Sequence, residues 1–415
     1  MKILYVSQYF PPEMGAPAAR AVELARHWVR AGHDVTLLTG FPNHPTGVVP
    51  EEWRPRLGNL VYREDVEGIH VVRTWLLPLP NRKAHERMLN YGSFCVSAAW
   101  RGMDLSRPDV VIATSPQLLV GLSGWWISFW KRVPFIFEVR DLWPESLSAV
   151  GVGTENSLLH RVLGNIAGFL YREADRVVVV TPAFKDHLIN HWQLPGGKIS
   201  VIENGVESSL FTPEAAETAL RDRLGLKGKF VAAYIGTMGM AHGLDTLIEA
   251  ASRLKESDPD ISFLLVGEGA DKERVQAIVR ERQLSNITFV NQQAREKIPA
   301  FIGTSDVCLV LLKKTELFKT VIPTKMLEFM SCAKPVILGV DGQARHILEE
   351  AGAGITIDPE NAVALAEAIR RLKADAAACR MFGQNARAYV MERCSREQSA
   401  KQYVGVLQEV LERST

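Results

Sequence analysis

The stretch ELFKTVIPTKMLEFMSCAKPV, Glu316–Val336, decides how the rest of this chain is read. Pro323 suits the first turn of a helix, where its missing N–H costs nothing. Met326, Leu327, Met330 and Ser331 recur at helical spacing, and Ala333-Lys334-Pro335 ends the helix before a strand over Pro335–Leu338. Such a helix start leaves the amides of Thr324 and Lys325 free, and free amides beside a lysine suit a phosphate. Glu328, about one turn deeper, can accept hydrogen bonds from two neighbouring hydroxyls such as those of a ribose. The residues alone therefore allow a nucleotide-diphosphate site. They also allow the plainer reading, an ordinary amphipathic helix with Glu328 solvated.

At 415 residues the chain is too long for one ordinary core, and two domains of roughly 200 residues are expected. Its 47% hydrophobic and 23% charged content fit a soluble globular protein, and a net charge of +1 excludes bulk attraction to nucleic acid. Cys95, Cys308, Cys332, Cys379 and Cys394 are far apart and odd in number, as expected of free thiols in a reducing, cytoplasmic compartment. Met1-Lys2 runs straight into the apolar segment KILYVS, too short for a secretory core. Val110–Trp130 is uncharged, but Ser115-Pro116-Gln117 divides it. The remaining apolar helix would reach only ~20 Å against a ~30 Å bilayer core.

Strand-like and helix-like segments alternate throughout, the pattern of parallel α/β sheets. Expected strands in the first half are Lys2–Ser7, Val35–Thr39, Ile69–Arg73, Val110–Thr114, Phe135–Val139 and Val177–Thr181. A turn-rich exit, ENGVESSLFTP, follows Val201-Ile202. A second winding has expected strands at Phe230–Gly236, Ser262–Val266, Thr288–Val290, Val307–Leu311 and Val336–Leu338. Helices over Asn361–Lys373 and Ala376–Glu392, then one opened by Ser395, complete the chain. The boundaries expected are 1–203, 204–394 and a terminal helix over 395–415.

Three loops can carry chemistry. Gly15 follows the first strand and precedes a helix, where backbone can approach a ligand. Gly236–Gly243 (GTMGMAHG) can present amides to phosphate, with Gly236, Gly239 and His242 as the contact residues, and Glu268 lies between Gly267 and Gly269 on the same sheet rim. The run FEVRDLWPES, Phe137–Ser146, sets charges and a tryptophan at a strand end. There Arg140 could clamp a phosphate and Asp141 could take a proton from an acceptor hydroxyl. Asp258-Pro259-Asp260 spells a metal-binding triplet, but it sits in a helix-to-strand loop away from Glu328. No metal and no cofactor are expected.

PTKMLEFMSCAKPVI resembles the nucleotide-sugar motif of glycosyltransferase family 4, and Asn204-Gly205-Val206 resembles the turn that enters that family's second domain. The resemblance covers essentially the whole chain. It implies the α/β GT-B fold, with two Rossmann-like parallel-sheet domains facing across a cleft and a C-terminal helix crossing back to the first. It also implies sugar transfer with retention from a nucleotide-sugar, expected to be UDP-linked. Glu328 matches the second glutamate of the family's Glu-x7-Glu pair; the first would fall at Thr320, where this chain departs. His242 stands where the family's basic residue sits, and Arg140 where the family often has histidine. Lys325 would then carry more of the diphosphate charge. A similar subgroup builds bacterial surface polysaccharides, which implies an undecaprenyl-diphosphate-linked acceptor and peripheral contact with the inner membrane face. The basic and aromatic run Asn81–Arg101, together with Trp125–Arg132, suits that surface, with Arg82, Lys83, Arg87, Lys131, Arg132 and Arg20 as cations for the lipid diphosphate. Two rivals remain: a nucleotide-sugar epimerase of the same two-domain type, and a non-catalytic nucleotide-binding protein.

Overall fold

Continuous runs of buried residues dominate the strands, as parallel sheets covered on both faces require. The computed structural model describes residues 1–44, 47–79, 84–146, 157–213 and 218–414. The chain divides into two compact units, Met1–Asn204 with Arg396–Thr415, and Gly205–Ser395.

The first unit carries β1 (Lys2–Val6), β2 (Asp34–Gly40), β3 (Val61–Val66), β4 (Ile69–Thr74), β5 (Val110–Thr114), β6 (Phe135–Val139), β7 (Arg176–Val179) and β8 (Ile199–Val201). They form one sheet in the order β3-β4-β2-β1-β5-β6-β7-β8, parallel except for the β3–β4 pair. The order reverses at β1, so the switch point lies between β1 and β5. Strand β3 went unread because VYREDV is half polar and sits at an edge, with partly exposed residues throughout. Its hairpin turn uses positive φ at Glu67 (54°) and Gly68 (82°), the backbone that suits the twist of the flanking strands.

One face of this sheet is covered by helix Ala16–Arg30 and by the terminal helix Arg396–Ser414. Trp28 Nε1 donates to the Ala400 carbonyl at 3.2 Å, and the Trp28 and Tyr403 rings meet edge to face at 5.2 Å. Glu23 and Arg396 form a buried ion pair at 2.8 Å between the same two helices. Helices Ala84–Asp104, Val120–Lys131 and Leu158–Glu173 also belong to this unit.

The second unit carries β9 (Phe230–Ile235), β10 (Ile261–Val266), β11 (Ile287–Val290), β12 (Val307–Leu311), β13 (Val336–Gly339) and β14 (Gly354–Thr356). All pair in parallel, in the order β11-β10-β9-β12-β13-β14. The switch point here lies between β9 and β12. Helix Leu244–Ser257 buries Leu244, Leu247, Ile248, Ala251 and Leu254, the stripe its periodicity predicts. Helices Ala362–Ala374 and Ala376–Arg393 are capped by the side chains of Asn361 and Asp375. Strand β14, three residues long, was too short to leave a pattern.

Among the described residues no helix is long and apolar enough to cross a membrane. None of the five cysteines forms a disulfide.

Candidate functional site

Ligands of open α/β sheets bind outside the carboxyl ends of the strands at the switch point. Each unit places its candidate residues on that rim.

In the second unit the rim is built from glycine-dependent backbone contact. Gly267 (φ 147°) and Gly269 (φ 158°) sit so close to the β9 loop that a β-carbon would lie 2.0 Å from the Gly236 carbonyl and 2.2 Å from that of Met238. Their first role is thus to stack two loops. Gly236 N donates to the Val266 carbonyl and Met238 N to that of Glu268. Glu268 itself is held by Lys272 at 2.5 Å, and Lys272 also reaches Asn291 Oδ1 at 2.9 Å.

The helix Thr324–Ser331 begins after β12. Pro323 is its extended N-cap rather than its first helical residue, and it makes no side-chain cap, so the Thr324 and Lys325 amides open the first turn. The Lys325 ammonium, expected to carry diphosphate charge, is withdrawn from solvent. Its buried Nζ has no hydrogen-bond partner and lies 3.9 Å from the centroid of the Tyr234 ring. Burial lowers its pKa to about 7. A β-carbon on Gly236 would lie 3.5 Å from Lys325 Cδ, which sets lysine and glycine loop side by side.

His242 departs further from expectation. Its Nδ1 sits 3.2 Å from the backbone nitrogen and oxygen of Gly239, binding its own loop. Burial, with the Lys325 charge beside it, pushes the imidazole down to about 3, so it is a neutral ring and no anion-pairing cation. Glu328 is neither solvated nor unpartnered, since Arg295 Nη1 donates to its Oε1 at 2.9 Å. Arg295 also rests on the Phe211 ring, 4.9 Å from its centroid. Sequence reading missed Arg295, which opens a short 3-10 helix after β11 and belongs to no motif. Thr320, where the family pattern has glutamate, closes its own turn through Oγ1 to the Leu317 carbonyl at 2.7 Å. The nearest acid in that turn, Glu316, is paired with Lys319 at 2.6 Å.

In the first unit Gly15 (φ 131°) is the N-cap of helix Ala16–Arg30, a backbone conformation that favours glycine. The Arg140 guanidinium lies over that helix start, donating to the Ala16 carbonyl at 3.1 Å and the Pro17 carbonyl at 3.4 Å. Arg140 and the Gly15 turn are therefore brought together. The Ser115 hydroxyl accepts from Arg140 N at 2.7 Å, and Trp143 Nε1 donates to the Pro116 carbonyl at 2.5 Å, which fixes this loop against the one after β5. Burial raises the Asp141 carboxyl to about 6, with Arg140 opposing the rise. Burial and the Arg20 charge bring Arg140 down to about 10.

Arg20, expected among the cations for a lipid diphosphate, is instead fully buried and bonded to Glu138. Lys131 Nζ is tied to the Met103 and Leu105 carbonyls at 3.1 and 2.6 Å. Arg82 and Lys83 lie outside the described residues. A buried polar network on this rim was not foreseen: Gln117 donates to Gln8 at 2.9 Å, Gln8 to Asn90 at 2.7 Å, and Asn90 to Asn43 at 3.3 Å. Beside it Glu13 accepts the backbone N–H groups of Phe10, Asn43 and His44 at 3.2, 2.8 and 2.9 Å. Burial still raises Glu13 to about 7.

Asp258 and Asp260 hold Arg370 and Lys373 at 2.8 and 2.5 Å, which accounts for that acidic triplet. His187 and His191 form a His-x-x-x-His pair, overlooked in the sequence, with ring nitrogens 3.1 and 3.9 Å from Glu145 Oε1. Among the described residues no group of three histidine, cysteine or acidic side chains is arranged to hold a metal ion.

Two switch-point rims on two parallel α/β units define a protein of the GT-B class. Residues 15–205 match the model for glycosyl transferase 4-like domains and residues 216–389 that for glycosyl transferases group 1. The chain belongs to this glycosyltransferase family. It is 25% identical over 397 residues to the putative colanic acid biosynthesis glycosyl transferase WcaI of Escherichia coli K12, covering 89% of this chain and 92% of the relative. Among solved structures it resembles sucrose-phosphate synthase from Thermosynechococcus elongatus, with a TM-score of 0.77, 20% identity and complete coverage of both chains. Anabaena HepE in complex with UDP and glucose gives a TM-score of 0.72 at 19% identity, over 98% of this chain and 99% of that one.

Proposed function

We propose that this glycosyltransferase moves a sugar from a nucleotide-sugar, UDP-linked, to a lipid-linked sugar in the building of a bacterial surface polysaccharide, with retention. The observation that carries the donor half is the first turn of helix Thr324–Ser331. There the buried, hydrogen-bond-free Lys325 Nζ lies beside the Gly236 loop. A buried ammonium without an anion is costly, and a diphosphate placed at the helix amides would satisfy both. Glu328, one turn deeper, keeps its Oε2 for ribose hydroxyls while Arg295 holds Oε1.

Departure of the diphosphate needs its developing negative charge offset, and Lys325 with the helix amides supplies that offset without a metal. On the first unit, Asp141 is the group suited to take the acceptor hydroxyl proton, because burial lifts it to about 6. Arg140 steadies the loop that carries it. The likeness to WcaI, whose name places it in colanic acid biosynthesis, supports the polysaccharide setting, and the lipid-linked acceptor rests on the resemblance to the surface-polysaccharide subgroup. Retention follows from the family resemblance.

The test is incubation with a panel of UDP-sugars and a polyprenyl-diphosphate-linked sugar, with the product's anomeric configuration read by NMR. Transfer with retention is expected. An epimerised donor formed without acceptor would make the protein an isomerase, and UDP binding without turnover would make it a binding protein.

A further inference from the structure

We propose that the outward face of helices Ala84–Asp104, Val120–Lys131 and Leu158–Glu173 docks on the surface of an anionic lipid bilayer. Single exposed apolar side chains are ordinary on a folded surface, whereas a contiguous cluster is not. On the first helix Val96 is 71% and Trp100 74% exposed, with Leu89 and Met103 on the same stripe. On the second, Phe129 is 61% and Trp130 54% exposed beside Trp126. On the third, Leu158, Leu159 and Val162 are exposed.

These stripes join. The Trp126 and Trp130 rings lie 5.6 Å apart, Phe129 and Trp130 5.9 Å, Trp125 and Phe129 5.8 Å, and Trp125 reaches Phe169 of the third helix at 4.9 Å. The first two helices approach at Gly102, where a β-carbon would stand 2.2 Å from Ile127 Cδ1.

Charge selects the occupant. Lys131 Nζ bonds the Met103 and Leu105 carbonyls, and Arg107 Nη2 bonds the Arg132 carbonyl at 3.0 Å, so Arg107, Lys131 and Arg132 gather where the two helices end. Arg101 stands one turn away, paired with Asp104 at 2.7 Å. Tryptophan and phenylalanine rimmed by arginine and lysine match the boundary between acyl chains and anionic headgroups. Helix Val120–Lys131, 12 residues and about 18 Å long, would lie in that boundary and is too short to span it. This surface deepens the lipid-linked-acceptor reading and rests on it for its use, but its test requires neither donor nor acceptor.

The experiment is co-sedimentation of the full chain with vesicles of phosphatidylethanolamine and phosphatidylglycerol, and with vesicles of phosphatidylcholine alone. Binding to the anionic vesicles that weakens with added salt is expected. The triple variant Trp100→Gln/Phe129→Gln/Trp130→Gln should bind at least about tenfold more weakly, as should Arg107→Gln/Arg132→Gln on anionic vesicles only. Trp100→Gln alone, at the most exposed large apolar position on its helix, gives the same sign if the triple variant fails to fold. Unchanged binding by the variants would overturn the proposal, as would no binding of the native chain at low salt. A native dimer that the aromatic variant converts to monomer would overturn it too, assigning the face to a second copy. UDP binding measured alongside separates the readings: its loss with vesicle binding intact fails the donor site and leaves this surface standing.

Discussion

Arg20 gives both Nε and Nη2 to one oxygen of Glu138, at 3.0 and 2.7 Å, inside the first unit and out of reach of solvent. Tyr5 donates to the other oxygen at 3.1 Å, as does Thr114 at 2.5 Å, and Arg20 goes on to the Ile202 and Glu203 carbonyls and Asn204 Oδ1. Against the cost of burial, Arg20 and Arg140 hold Glu138 below the ordinary carboxylate range. The pair pins helix Ala16–Arg30, and with it the Gly15 turn, to the end of β6. Removing one partner strands a buried charge. Glu138→Ala should therefore cost about 3–5 kcal/mol in urea unfolding, and Arg20→Met with Glu138→Leu should recover most of it. A double variant as unstable as the single would show that the stranded charge is not the cause.

Lys325 gives UDP binding a pH dependence. Its pKa in the free protein is about 7, and a diphosphate favours the charged form. Above that pH the neutral amine must take up a proton to bind, so affinity should fall as pH rises, by up to about tenfold per unit. Calorimetry in buffers of different ionisation heat should show proton uptake, and Lys325→Met should abolish both effects. The unliganded fold has the opposite trend: the unfolded chain binds the extra proton between about 7 and the ordinary lysine value of 10.5, so this group's contribution to stability rises with pH there. A flat affinity profile would place the diphosphate elsewhere.

The Arg295–Glu328 pair separates ribose binding from scaffold. Glu328→Ala should weaken UDP binding and lower turnover on the order of a hundredfold, since hydrogen bonds to a charged group are lost. Arg295→Ala leaves the carboxylate present and should cost far less. Isothermal titration of both variants with UDP checks this; equal losses would mean that Arg295 touches the nucleotide itself.

Asp141→Asn should cut turnover while both substrates still bind. In the native enzyme, activity should rise with pH through about 6 as the carboxyl ionises, and the variant should lose that limb. Steady-state rates across that range, with separate binding measurements, check the assignment.

Chelation should leave transfer intact. If EDTA abolishes activity and a divalent ion restores it, Lys325 and the helix amides are insufficient for the leaving group.

The helix at Thr324–Ser331 was legible because its pattern is local: proline, lysine and glutamate at fixed offsets, with apolar residues at helical spacing. What the residues there do in three dimensions was not. The burial of Lys325 left no trace because nothing in PTKMLEF reveals the Tyr234 ring, ninety-odd positions earlier, on which its ammonium rests. His242 looked basic because its burial comes from elsewhere in the fold. Arg295 and Glu13 left no signal, since each acts through partners far along the chain or on backbone N–H groups. Strand β3 was hidden by its polar edge, although Glu67-Gly68 marks its turn.

The helix Arg396–Ser414 completes the core of a unit whose other residues end at Asn204. During synthesis that unit waits, with Trp28 and its neighbours uncovered, until the whole of residues 205–395 has been made. A fragment ending at Asn204 would lack Tyr403, Leu407 and Val410 from its interior, so it is not a separable module. The second unit is continuous in sequence and has no such debt. For anyone dividing this protein, the piece that can be cut out is the middle.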